Sequence, residues 1–325
     1  MRTIVEAGAR IHLGFLDLNG GCGRRFGSIG VSLERPQYTV EAAPASAGVM
    51  PETAAPVAAI LEHLGPDLGD VPVSVRLLEA IPTHVGFGSG TQLALAVALA
   101  VTRAAGRAVP IRDLARRLRR GQRSGIGIAA FERGGLAIDA GHPVGDDGEA
   151  MLEAIDGPEP PPVIFQHPLP DDWHFVLATP RAAPGLAGLP EQRAFQDLPP
   201  MDPARVGRIC RLTLMQVAPA VVTGDIRVFG TAITEIQDLV GEYFAPCQGG
   251  RFSSRTGCEV TELALARGAH GVGQSSWGPT VFALVENEAR ARTLADSVRT
   301  AFGHRLAWID VSRARNRGAS CREIP

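Results

Sequence analysis

An α+β fold in two halves is what this 325-residue sequence predicts. Two observations carry the prediction. Strand-like and helix-like stretches follow one another irregularly, without the βαβαβ alternation of a doubly wound sheet. Prolines and acidic residues cluster in DGPEPPPVIFQHPLPDD (156–172), the best candidate linker, although the apolar Val-Ile-Phe inside it can pair as a strand. A hydrophobic content of 45% is ample for a core, and an aromatic content of 5% leaves that core to Ala, Val, Leu and Ile.

Along the chain, loose alternation over 2–10 reads as a strand. GSIGVSLERPQYTVEAA (27–43) reads as two β segments broken at Pro36. A helix over 52–64 and a strand over 71–80 precede a strong helix over 91–105 and a second over 111–120. A double-glycine turn introduces a strand over 134–141, and WHFVLATP (173–180) is a clear strand. Helices follow over 203–220, 225–241 and 256–267, then two strands around a turn within 271–285. A helix over 287–301 and a strand over 305–311 close the order.

Composition excludes several chemistries. The net charge of −2 sets up no global field toward nucleic acid or membrane. The local exception, RDLARRLRRGQR (112–123), reads as a solvated helix face. Lysine is absent, and all 32 basic residues are arginine. That removes a Schiff-base lysine, pyridoxal phosphate bound through one, and a Walker A lysine. The five cysteines form no CxxC pair, so neither a disulfide framework nor a zinc site is expected, and a reducing cytoplasm fits. His142, His167 and His270 lack metal-ligand spacing. The N-terminal residues show no signal pattern, and the apolar stretch 93–101 is too short to span a bilayer.

The most informative stretch is PTHVGFGSGTQLALAVALAV (82–101). Glycines let a backbone approach an anion closely, and a helix N-terminus supplies unpaired N–H groups and partial positive charge. Gly86, Gly88 and Gly90 have that spacing, and Ser89 and Thr91 add hydroxyls. A tight turn with glycines for packing alone is the plainer alternative. The G-x-G-x-G spacing, outside a first βα unit, argues against a dinucleotide (NAD) site. Without lysine a P-loop is excluded.

These residues resemble the phosphate loop of the GHMP kinase superfamily, with Phe87 and Gly90 as departures. ARIHLGFLDLNG (9–20) is similar to the superfamily's N-terminal motif, and GVGQSSWGPTVFAL (271–284) stands where its C-terminal glycine motif belongs. The resemblance implies a ribosomal S5 domain 2-like N-terminal domain (1–160) and a ferredoxin-like C-terminal domain (161–325). Many such kinases carry a catalytic Asp in S-G-x-D, and here SGIG (124–127) puts Gly127 in its place. RIHLGFLDLNG, RFGSIGVSL, RSGIGIAAFERGG, FAPCQGG and QSSWGP together resemble one branch, the β-ribofuranosylaminobenzene 5′-phosphate synthases. That resemblance implies condensation of 5-phosphoribosyl 1-diphosphate with 4-aminobenzoate or 4-hydroxybenzoate. CO2 and diphosphate are lost in an early step of tetrahydromethanopterin synthesis. It also implies a homodimer. Mg²⁺ is expected with the diphosphate, its ligands unknown. A small-molecule kinase using ATP is the alternative, and a non-catalytic binder of the sugar diphosphate a third reading.

Under the synthase reading, Gly86, Gly88, Ser89, Gly90 and Thr91 cradle the diphosphate, with donors aimed at charge developing on the leaving group. Asp17 is the first choice for an acid at the site, or else a turn residue before Asn19-Gly20-Gly21. Arg10 and His12 flank Ile11 and share a strand face, where they bind the sugar phosphate or the aromatic carboxylate, or are structural. Arg25 suits a phosphate, and Ser124 and Gly125 a second one. Gln274, Ser275 and Ser276 supply neutral donors. Trp277 either stacks on the aromatic ring or belongs to the core. Gln248 is a further binding candidate. Glu191 lies on a Pro/Gly-rich stretch and is either a catalytic acid on a lid or part of a helix's first turn.

Overall fold

The computed structural model describes residues 2–45, 55–68, 72–145, 150–151, 159–186 and 188–324. β1 (Arg2–Asp17) and β2 (Arg24–Pro44) form a long antiparallel pair whose inward residues Ile11, Leu13, Val31 and Leu33 are buried. The two segments expected to break at Pro36 are one strand. Only the pairing slips there, between Gly8 and Arg10 of β1. Proline has no N–H for the ladder and is tolerated where the ladder is already interrupted.

α1 (Ala55–Leu68) precedes β3 (Val73–Glu79), which pairs with the far half of β2. α2 (Ser89–Ala104) follows the glycine loop and packs on β1 and β2. Its run of Leu, Ala and Val is apolar on every side, as a fully buried helix requires. α3 (Ile111–Arg117) and α4 (Ile126–Glu132) lead to β4 (Leu136–Asp139), β5 (His142–Pro143) and β6 (Val163–His167). β6 contains the Val-Ile-Phe of the candidate linker and pairs with β4. The linker's first residues, 156–158, lie outside the described residues.

β7 (Trp173–Pro180) opens a second sheet. α5 (Leu189–Asp197), α6 (Pro203–Leu212), a π-helical turn over Thr213–Val217 and α7 (Ala218–Thr223) follow. The Asp225 carboxylate caps the next helix, α8 (Ile226–Gln248), by accepting from the Arg227 and Val228 N–H groups. The remaining elements are α9 (Arg255–Ala266), β8 (Gly271–Gln274), β9 (Val281–Glu286), α10 (Glu288–Phe302), β10 (Leu306–Arg313) and β11 (Ser320–Ile324).

The seven-stranded first sheet runs β11–β1–β2–β4–β6, with β3 and β5 also on β2. The second runs β10–β7–β9–β8, the ferredoxin-like order. β6 and β11 both lie beyond residue 160 and yet belong to the first sheet, so sheet membership does not follow the 160/161 division. No helix among the described residues is long and apolar enough to cross a membrane.

One buried side chain fixes the glycine loop to this frame. Phe87 has no exposed surface and meets Trp308 of β10 edge-on, ring centroids 5.4 Å apart. Truncation there leaves a cavity under the loop. Phe87→Ala is expected to cost about 3–5 kcal/mol of unfolding free energy in denaturant titration, and a loss under about 1 kcal/mol would refute this anchoring role.

Candidate active site

The glycine loop lines a cleft of about 640 Å³, within the roughly 300–1,000 Å³ common for ligand sites. Gly86 and Gly88 have φ of 103° and 67°, and Gly88 forms the left-handed N-cap of α2. The Thr91 and Gln92 N–H groups donate to the Gly88 carbonyl, while those of Ser89 and Gly90, the first two of α2, precede any intrahelical acceptor. Gly86, Gly88, Ser89, Gly90 and Thr91 all line the cleft.

Beneath the loop lies Arg10. Its Nη1 donates to the Gly86 carbonyl at 2.9 Å, and a side chain on Gly88 would begin 2.8 Å from its Nε. Burial lowers Arg10 to about 10, with Glu191 opposing the shift, so it stays charged at neutral pH. Ser275 joins three segments. Its hydroxyl donates to the Gly86 carbonyl at 2.6 Å and accepts the His12 N–H at 2.9 Å. Ser275 is fully buried and structural in this arrangement, not an open substrate donor.

His12 is 4% exposed. Its Nδ1 accepts the Gly14 N–H at 3.2 Å, so the neutral ring carries its proton on Nε2. That Nε2 is buried with no partner among the described residues. Burial, then the charge of Arg10, lowers His12 to about 3.

Glu191 is the only carboxylate lining the cleft among the described residues. It is at the first turn of α5, where Pro190 and Glu191 suit a helix start. One oxygen accepts from Trp277 Nε1 at 3.1 Å, and the other pairs with Arg123 at 2.9 Å. Trp277 is buried and its ring meets Phe244 at 4.5 Å and Phe195 at 5.7 Å. Both contacts are tilted or edge-on, and Trp277 also lines the cleft. Ser276, at φ 55°, lines the cleft beside it.

The sequence reading missed Arg120, placed on a solvated helix face. The residue falls beyond the end of α3, lines the cleft, and puts Nη1 3.8 Å from where a Gly90 Cβ would stand. Burial lowers its pKa, and its Nε is buried without a partner. The arginine run reads as helix through 120, so nothing local marked it.

Other candidates stand elsewhere. Asp17 does not line the cleft, and its Oδ1 accepts the N–H groups of Asn19 and Gly20, holding the turn. Arg25 is buried beside the ring of Phe26, outside the cleft lining. At the expected second phosphate site, Ser124 Oγ is buried with no partner among the described residues. The Gly125 N–H donates to Asp139 at 2.8 Å, so a fixed carboxylate takes the place of a ligand anion. Asp139, also missed, is fully buried. Burial pushes it up to about 7, although the Gly141, Gly125 and Ile126 N–H groups and Ser28 favour its charged form. Gln274 accepts from Ser253 and donates to Gln248 and the Ser276 carbonyl, so both glutamines serve the frame.

At the kinase acid's position, a Cβ on Gly127 would stand 3.2 Å from Thr91 Cγ2. Gln92 donates to the Gly127 carbonyl at 2.8 Å. The two helix starts abut, and a side chain at 127 requires Thr91 to give by a few tenths of an ångström.

The His12 assignment is testable by ¹⁵N NMR of labelled histidine. A neutral Nε2–H ring is expected throughout pH 5–8. A titration midpoint near 6.5 would contradict the burial argument.

Comparison with known proteins agrees with this geometry. Residues 54–135 match the GHMP kinases N terminal domain and 217–304 the GHMP kinases C terminal domain. A homoserine kinase from Cytophaga hutchinsonii shares the fold at TM-score 0.67 and 16% identity, over 99% of this chain and 97% of that one. Mevalonate diphosphate decarboxylase from Staphylococcus aureus does so at 0.65 and 17%, over 99% and 98%. Sequence relatives are more specific. The β-ribofuranosylphenol 5′-phosphate synthase of Methanothermobacter thermautotrophicus is 32% identical over 98% of both chains. That of Archaeoglobus fulgidus is 34% identical over 95% of this chain and 96% of its own. Their name specifies the phenol where the sequence motifs suggested the aminobenzene branch. At this identity over nearly its whole length, the chain belongs to the β-ribofuranosylphenol 5′-phosphate synthase family, on the two-domain fold of the GHMP kinases.

Proposed function

We propose that this protein condenses 5-phosphoribosyl 1-diphosphate with 4-aminobenzoate or its 4-hydroxy analogue, releasing CO2 and diphosphate and leaving a C-riboside 5′-phosphate. The observation that carries the reading is the cleft itself. A glycine loop at a helix start is flanked by Arg10 and Arg120, and no acid stands at position 127. Such a cradle stabilises a leaving diphosphate, and guanidinium forks match phosphate oxygens. The reaction needs no lysine. The para amino or hydroxyl group pushes density to the carbon bearing the carboxylate, which attacks C1 of the ribose. Glu191, paired with Trp277 and Arg123, is the carboxylate available to the positive charge that develops at C1.

A divalent cation finds no dedicated cage. Among the described residues no group of three His, Cys, Asp or Glu can hold a metal, and both Glu191 oxygens are engaged. Mg²⁺ enters this reading as counter-ion of the diphosphate, and no step is assigned to it. The reading includes a cytoplasmic homodimer in tetrahydromethanopterin synthesis.

Release of labelled CO2 from either carboxyl-labelled benzoate, dependent on the sugar diphosphate, is the test. Gly88→Val is expected to abolish it, since a side chain there meets Arg10 at φ 67°. Arg120→Gln is expected to raise KM for the sugar diphosphate about 10–100-fold, the scale of one charge-assisted hydrogen bond. ATP-dependent phosphorylation of a hydroxyl acceptor, with no CO2 from either benzoate, would return the chain to the kinases.

A further inference from the structure

A recess of about 30 Å³ adjoins the cleft, sharing Ser276 and Trp277 with it. Its walls include the rings of Phe15, Phe244 and Trp277. The buried polar side chains at its wall are committed, with one exception. Gln237 donates to the Leu13 carbonyl and accepts the Gln274 N–H, and the Gln274 amide is held by Ser253 and Gln248. Arg251, at the rim, pairs with Asp238 at 2.8 Å and lies over the Phe252 ring. The exception is His12, whose Nε2–H has no acceptor and whose Nδ1 is fixed by Gly14.

A buried donor left unmet costs about 1–3 kcal/mol, and such a group at the wall of a cavity marks a place for a ligand atom. The volume takes about two water-sized groups, so it suits a carboxylate and not an aromatic ring. We propose that this recess seats the carboxylate of the aromatic acid, held by the Nε2–H of His12, and that CO2 departs from it. The inference rests on the synthase reading above.

The chemistry balances on that placement. An electron pair of the ring forms the bond from the carboxylate-bearing carbon to ribose C1. The C1–O bond breaks, and its pair leaves on the diphosphate. The bond to the carboxylate then breaks, its pair returns to the ring, and neutral CO2 departs, so no proton is needed at that carbon.

The experiment uses ¹⁵N-histidine-labelled protein with Mg²⁺ and inorganic pyrophosphate, the His12 signal being assigned with His12→Leu. Benzoate is added to one sample and phenol to another. The expected result is a downfield move of the His12 Nε2–H proton with benzoate and none with phenol. A move with phenol alone would place the para oxygen in the recess and overturn the proposal, and no move with either would leave a water site only. Turnover separates this from the parent reading. His12→Leu is expected to raise KM for 4-hydroxybenzoate at least tenfold while pyrophosphate affinity stays within twofold. His12→Gln, which keeps an N–H near the Nε2 position, is expected to restore KM to within about threefold of wild type. Unchanged KM in active His12→Leu overturns the recess assignment alone. Absence of CO2 from wild type overturns the synthase reading and this inference with it.

Discussion

The carbonyl of Gly86 is the point on which the site depends. It accepts from Arg10 on β1 and from Ser275 beyond β8, and Ser275 also receives the His12 N–H. Three segments far apart in sequence are thus fixed around one peptide unit in a buried setting, where an unmade hydrogen bond is costly. Position 86 also meets a close approach, since a Cβ there would stand 2.5 Å from the Ser275 carbonyl. The loop is held from below by polar bonds and from behind by Phe87 on Trp308. A phosphate cradle whose donors are fixed before the ligand arrives needs little reorganisation when charge develops.

The same packing explains the departure from the kinases. Where a kinase of this fold places an acid, this chain has a helix start pressed against Thr91 and gripped by Gln92. Asp139 closes the α4 terminus with an internal carboxylate. Of the two helix starts, that of α2 has its first residues in the cleft lining. The arginines that line the cleft among the described residues are Arg10 and Arg120.

What the sequence revealed and what it hid follow one physical distinction. The glycine loop and α2 were legible because each is encoded locally, by turn glycines and an unbroken apolar run, whereas the ferredoxin-like half came from the family resemblance, its strands being buried on both faces. The roles of Ser275, Gln274 and Gln248 were not, because a hydroxyl or amide reads as an open donor until its distant partners are known. Arg120 was absorbed into a charged helix face because α3 ends sooner than the arginine run suggests. Asp139 ends a short strand and has no local mark of its long-range bond to Gly125. Glu191 was found, but its clamp between Trp277 and Arg123 spans too much chain to read in advance.

Among the described residues, the cleft's arginines, Arg10 and Arg120, place guanidinium charge in its lining. A guanidinium is a weak nucleophile that stays protonated in proteins. Arg10 stays charged at neutral pH even after its burial-induced drop to about 10. An ε-amine in the same place loses its proton more readily and attacks carbonyl carbons, as Schiff-base lysines do. With no lysine anywhere in the sequence, the cleft carries positive charge without a side-chain amine nucleophile.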